Sequence, residues 1–109
     1  MIKTLYIKII EGKEIKVKNF SQLADPYCQM QMVGDRSFLE TKVIKGTLSP
    51  FWNENFSFLI TNYENDFFKL ILKDNNNDIG SIELKINQFE IGKVYKKWLV
   101  VEKKELKPD

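Results

Sequence analysis

Ala24-Asp25-Pro26-Tyr27-Cys28-Gln29-Met30-Gln31-Met32 passes from loop to strand within three residues. Asp25 is the last loop residue. Pro26 fixes φ and suits a first strand position, where no ladder donor is needed. Behind it Cys28, Met30 and Met32 alternate with Tyr27, Gln29 and Gln31. Period two with one apolar face marks a half-buried strand. A carboxylate is therefore held where a strand leaves its loop. Asp-Pro is also an ordinary turn pair, so the flanking chain must decide what Asp25 does.

Upstream, Lys3 to Ile10 sets Leu5, Ile7 and Ile9 against Tyr6, Lys8 and Ile10, a first strand that Glu11-Gly12 ends. Gly12 to Ala24 is a long connection carrying Lys13, Lys16 and Lys18, and a loop of that length in a compact domain is usually functional. Downstream, the quoted strand runs over Tyr27–Val33, and Gly34-Asp35-Arg36-Ser37 is a turn by residue type. Phe38–Lys45 is expected as its hairpin partner. Gly46–Asn53 is a second long connection, leading into a fourth strand over Glu54–Ile60 with Phe56, Phe58 and Ile60 inward. A fifth strand spans Phe67–Lys73, with Phe68, Leu70 and Leu72 inward. Asp74–Asp78 is loop chemistry, and Ile79–Ile86 is a sixth strand with Ile82, Leu84 and Ile86 inward. A seventh is expected over Tyr95–Val101, followed by a charged tail over 102–109. No stretch sustains a helical period. Short strands separated by turn signals indicate an all-β sandwich or barrel.

The 109 residues suit one domain. A net charge of +2 is too small to suggest nucleic acid. One cysteine excludes an internal disulfide framework, and Cys28 on an apolar face reads as a small core residue in a reducing compartment. The absence of histidine removes His-based acid–base chemistry and most zinc sites. With no Gly-rich phosphate loop and no nucleophile–base pair either, an enzyme is not expected. The N-terminus enters a strand pattern at once, unlike a signal peptide, and no apolar run approaches a membrane span.

If successive strands run antiparallel, connections alternate between the two ends of the sandwich. Gly12–Asp25, Gly46–Asn53 and Asp74–Asp78 then share one end. Asp25, Asp74 and Asp78 would gather there with Asn19, Asn75, Asn76 and Asn77 nearby. Converging carboxylates repel unless a cation lies between them, and oxygen ligands of this kind suit Ca²⁺. Asp and Asn equally make turns.

The sequence resembles the C2 domains, Ca²⁺-regulated membrane-binding β-sandwiches. The resemblance runs from Leu5 to Leu99. It rests on Ala24-Asp25-Pro26-Tyr27-Cys28 and on the stretch from Thr41 through Ser49-Pro50-Phe51-Trp52-Asn53 to Phe56. Leu72-Lys73-Asp74, Ile79-Gly80 and Trp98-Leu99 add to it. Asp-Pro-Tyr-Cys and Ser-Pro-Phe-Trp look most like the C2 domains of Ras GTPase-activating proteins. The resemblance implies an antiparallel Greek-key β-sandwich of about eight strands, the last short or missing, in a single domain over 1–109. It also implies that loops one and three supply the Ca²⁺ ligands. Asp25 and Asp74 match family aspartates, Asp78 stands for the last one, and Asn19 and Asn76 occupy positions where the family has aspartate. Fewer formal charges mean weaker Ca²⁺ binding, so one weak site or none is expected.

Two functional classes follow from the resemblance. One is Ca²⁺-assisted peripheral binding to anionic phospholipid membranes from the cytoplasmic side, with Lys18, Phe20 and Leu23 at the membrane. In it Lys42 and Lys45 are the candidate headgroup contacts. The other is a Ca²⁺-independent protein- or lipid-interaction module with a degenerate calcium site, acting on a protein partner or within a larger parent chain. Phe51 and Trp52 are expected in the core, not at a ligand.

Overall fold

In the computed structural model, residues 2–17 and 23–103 are described. The elements are β1 (Lys3–Glu11), β2 (Pro26–Met32), β3 (Leu39–Glu40), β4 (Phe51–Ile60), β5 (Phe67–Asp74), β6 (Asn77–Lys85), a 3₁₀ turn (Ile86–Gln88) and β7 (Glu102–Lys103). They form two antiparallel sheets. One holds β1 and β4; the other runs in the order β3-β2-β5-β6-β7. Of the two all-β architectures that the alternation allows, sandwich or barrel, this is the sandwich that the resemblance implies. Among the described residues no helix is long and apolar enough to cross a membrane.

Alternation selects the inward faces. Cys28, Met30 and Met32 on β2 are buried, as are Phe68 and Leu72 on β5 and Ile60 on β4. Met30, Met32, Ile60, Phe68 and Ile86 form one apolar cluster, against which Leu5, Ile7, Ile9, Phe56, Phe58 and Leu70 pack while staying half-buried. Phe58 meets Phe68 edge-on at 5.5 Å, an arrangement that favours aromatic quadrupoles. A second cluster, Ile15, Cys28, Trp52 and Leu72, lies toward the loop end. Burial pushes the Cys28 thiol up to about 12, with the Glu54 charge adding to it. The thiol therefore stays neutral and unreactive at ordinary pH.

Three expectations need correction. The third strand is regular only over Leu39–Glu40. The remainder of Phe38–Lys45 follows β2 by spaced hydrogen bonds, Thr41 N–H to Cys28 O at 2.9 Å and Ile44 N–H to Pro26 O at 3.2 Å. The buried Thr41 hydroxyl interrupts the ladder by accepting the Cys28 N–H itself. Tyr95–Val101 forms no strand; pairing resumes only where Glu102–Lys103 meets Gly80 and Ser81. Trp52 is in the core as expected, but Phe51 opens β4 with its ring outward, 60% exposed.

Candidate functional site

Loops one, two and three meet at one end of the sandwich, as the antiparallel alternation requires. Gly12 N–H donates to Pro50 O at 2.8 Å and Ile15 N–H to Leu48 O at 3.2 Å, so loop one is pinned to loop two. Ile15 is buried beneath them. Thr47 N–H donates to Ala24 O at 2.9 Å, which ties loop two to the start of β2.

Asp25 and Asp74 are brought together because Pro26 pairs with Asp74 at the ends of β2 and β5. Asp25 N–H donates to Asp74 Oδ1 at 2.9 Å, and Gly46 N–H donates to Asp25 Oδ1 at 2.9 Å. Gly46 has φ +70°, a conformation that suits glycine. Tyr27 Oη donates to Asn75 O at 2.7 Å and fastens the turn after β5. Each carboxylate thus spends one oxygen on a backbone donor of another loop. The pair braces the loop end as well as charging it.

Asp78 does not join them. Loop three closes in two residues, Asn75-Asn76, between β5 and β6, with Asn75 at φ +54°. A register shift follows: Leu72 faces Gly80, but Lys73 faces Asp78 and Asp74 faces Asn77. Without that shift Asp74 would face Asp78, and like charges opposite each other across an antiparallel pair are unfavourable. The bulge at Ile79 replaces that repulsion by an ion pair, Lys73 Nζ to Asp78 Oδ1 at 3.4 Å. Among the described residues no group of three or more His, Cys, Asp or Glu side chains is placed to hold a metal ion. The donor set at this end is two carboxylates, Asp25 and Asp74, joined by a backbone hydrogen bond. It does not fit a multi-carboxylate cage.

Asn19, Lys18 and Phe20 lie outside the described residues. Leu23 is 64% exposed beside the loop end and does not pack beneath it. Lys13, Lys16, Lys42 and Lys45 are exposed as well. The braces at Gly46 N–H and Tyr27 Oη were not read from the sequence. Gly46 before Thr47 carried the one usable signal, a turn glycine facing the Asp25 loop.

A family model described as C2 domain matches residues 3–101. Human synaptotagmin-7 is 40% identical over 62 residues, covering 56% of this chain and 15% of that protein. Human Ras GTPase-activating protein 4B is 38% identical over 53 residues, covering 49% of this chain and 6% of that protein. The chain therefore spans a small fraction of the curated relatives it matches. Among solved structures, human GIVD cytosolic phospholipase A2 superposes with a TM-score of 0.79 at 24% identity, over 86% of this chain and 15% of that one.

Proposed function

The chain belongs to the C2 domain family, and from that premise we propose that it docks peripherally on anionic phospholipid membranes, at the cytoplasmic side, through its loop end. The observation that carries this reading is the loop end itself: Asp25 and Asp74 are adjacent, exposed Lys13 and Lys16 lie on the connection that leads to Asp25, and exposed Leu23 stands two residues before it. Lysines there attract anionic headgroups by about 1 kcal/mol each near the surface. Leu23, with Phe20 and Lys18 of the same loop, adds apolar and basic contact. Lys42 and Lys45 extend the basic surface away from the tip.

Calcium assistance rests on Asp25 and Asp74, with Asn76, Asn19 and solvent completing the oxygen set. A bound cation there would cancel the paired negative charge and supply a bridge to lipid phosphate. Loss of Asp78 to Lys73 keeps that site weak. The same ion pair favours a second reading, a Ca²⁺-independent module in which lysines alone supply the attraction.

Sedimentation with phosphatidylserine vesicles tests both readings. Binding that weakens at high salt and strengthens with millimolar Ca²⁺ supports the first. Salt-sensitive binding indifferent to Ca²⁺ selects the second. Equal binding to neutral vesicles, with no effect of salt or Ca²⁺, rejects membrane docking through this end.

A further inference from the structure

We propose that Phe51 is a second apolar membrane anchor, presented where loop two enters β4 and standing beside the anchor that loop one carries at Leu23. The proposal rests on the membrane-docking reading and adds to it a residue and an orientation. β1 and β4 run antiparallel, from the Lys3–Ile60 pair at the far end to the Glu11–Phe51 pair at the loop end. Phe51 therefore opens β4 where loops one and two meet. Alternation along β4 sends Trp52 into the core and Phe51 outward. The register also slips by one residue there. Ile9 faces Glu54, Glu11 faces Phe51, and the intervening Asn53 has φ +50°. A bulge of this kind re-aims the side chains beside it. The Phe51 ring is left 60% exposed.

The backbone that carries this ring is fixed on both sides. Pro50 before it is fully buried and its carbonyl accepts the Gly12 N–H at 2.8 Å; Trp52 after it is buried. An apolar contact on a fixed backbone loses little conformational freedom when it binds. Leu23 precedes β2 in one sheet, and Phe51 opens β4 in the other. Packed sheets stand about 10 Å apart, and Thr47 N–H to Ala24 O at 2.9 Å ties the two loops together. One apolar contact leaves a docked domain free to swivel; two in separate layers, rigidly linked, set its tilt. The charges nearby fit a bilayer surface. Lys13 and Lys16 on loop one and Lys45 at the entry to loop two are exposed, and basic groups around an aromatic ring suit an anionic lipid interface. Glu11, across the ladder from Phe51, limits the depth, since a carboxylate is costly within hydrocarbon. The ring reaches the interface and stops there.

Sedimentation with mixed phosphatidylserine and phosphatidylcholine vesicles compares the unmutated chain with Phe51→Ala, Phe51→Trp and Leu59→Ala. Leu59 is the control: it is 64% exposed on the same strand but pairs with Thr4 near the far end, about 26 Å away along β4. Phe51→Ala should weaken binding about tenfold, by the same factor at low and high salt because the lost contact is apolar. Phe51→Trp should restore it, tryptophan being favoured at the interface. Leu59→Ala should change nothing, and the urea midpoint of all three should match that of the unmutated chain. Cys28 is buried, so an environment-sensitive fluorophore can be attached at Phe51→Cys or at Leu59→Cys. The first should shift to the blue on vesicles and be quenched by spin-labelled lipid; the second should not. If the unmutated chain fails to sediment, the docking reading falls and this proposal falls with it. If it sediments but Phe51→Ala binds equally well, or Leu59→Ala loses as much, or the label at position 51 stays in water, the anchor alone is overturned. A loss at Phe51→Ala matched by a fall in the urea midpoint assigns the ring to folding and also overturns it.

Discussion

β1 and β2 carry nearly the same sequence pattern and end in different surroundings. Leu5, Ile7 and Ile9 alternate as regularly as Cys28, Met30 and Met32. Yet the β2 set is buried, Met30 at 0% exposure, while the β1 set is half-buried. The difference is in the neighbours. β2 lies between β3 and β5, and among the described residues β1 has β4 on one side only. Alternation decides which way side chains point; flanking strands decide how much water they lose.

That contrast can be broken most directly by truncation. Met30→Ala should cost about 2–5 kcal/mol, since it opens a cavity in a closed site. Ile7→Ala should cost less, about 1–2 kcal/mol, because the side chain is only partly out of water and its site can relax. Phe58→Ala belongs between them, its ring being half-buried against Phe68. Urea unfolding of the three variants gives the order; a loss at Ile7 equal to that at Met30 would refute the contrast.

The loop end extends the comparison to polar groups. Asp74→Ala removes the acceptor of the part-buried Asp25 N–H and should cost about 1–3 kcal/mol. Lys73→Ala breaks only the part-exposed pair with Asp78 and should cost below about 1 kcal/mol. Chemical denaturation of both separates a brace from a surface ion pair. Gly46→Ala, at φ +70°, should cost about 1–2 kcal/mol through backbone strain, measurable by the same method.

Calcium gives the smallest effect. A site of two carboxylates should bind with Kd near 10⁻³ M. One millimolar Ca²⁺ then stabilises by about 0.4 kcal/mol, raising Tm by about 2 °C. Asp25→Asn and Asp74→Asn should each abolish that shift, and Asn76→Asp should enlarge it. An unchanged Tm at 10 mM Ca²⁺ would favour the Ca²⁺-independent module.

The strands that the sequence made legible are those where periodicity and burial agree. β2, β4 and β5 follow their alternation to within a few residues at each end. Tyr95–Val101 alternates well enough to suggest a strand, but although Val101 approaches Gly80 of β6, regular pairing begins only at Glu102. Of the candidate site, the adjacency of Asp25 and Asp74 was legible because antiparallel order sends odd connections to one end. The fate of Asp78 was not. It depends on a bulge at Ile79, and a one-residue slip leaves no mark in a run of Asp and Asn.

By itself, then, the sequence determined the β-sandwich, its inward faces and the end at which the charged loops gather. The faces and the shared end follow from local period and chain direction, and the sandwich from the motifs of the C2 resemblance. Only the tertiary structure decided how those faces and charges are used: Asp74 bracing the backbone of Asp25 and Asp25 that of Gly46, Asp78 tied to Lys73, and β1 paired, among the described residues, with β4 alone. Those outcomes turn on register and on which strand lies beside which, and both are set by contacts between segments far apart in the chain.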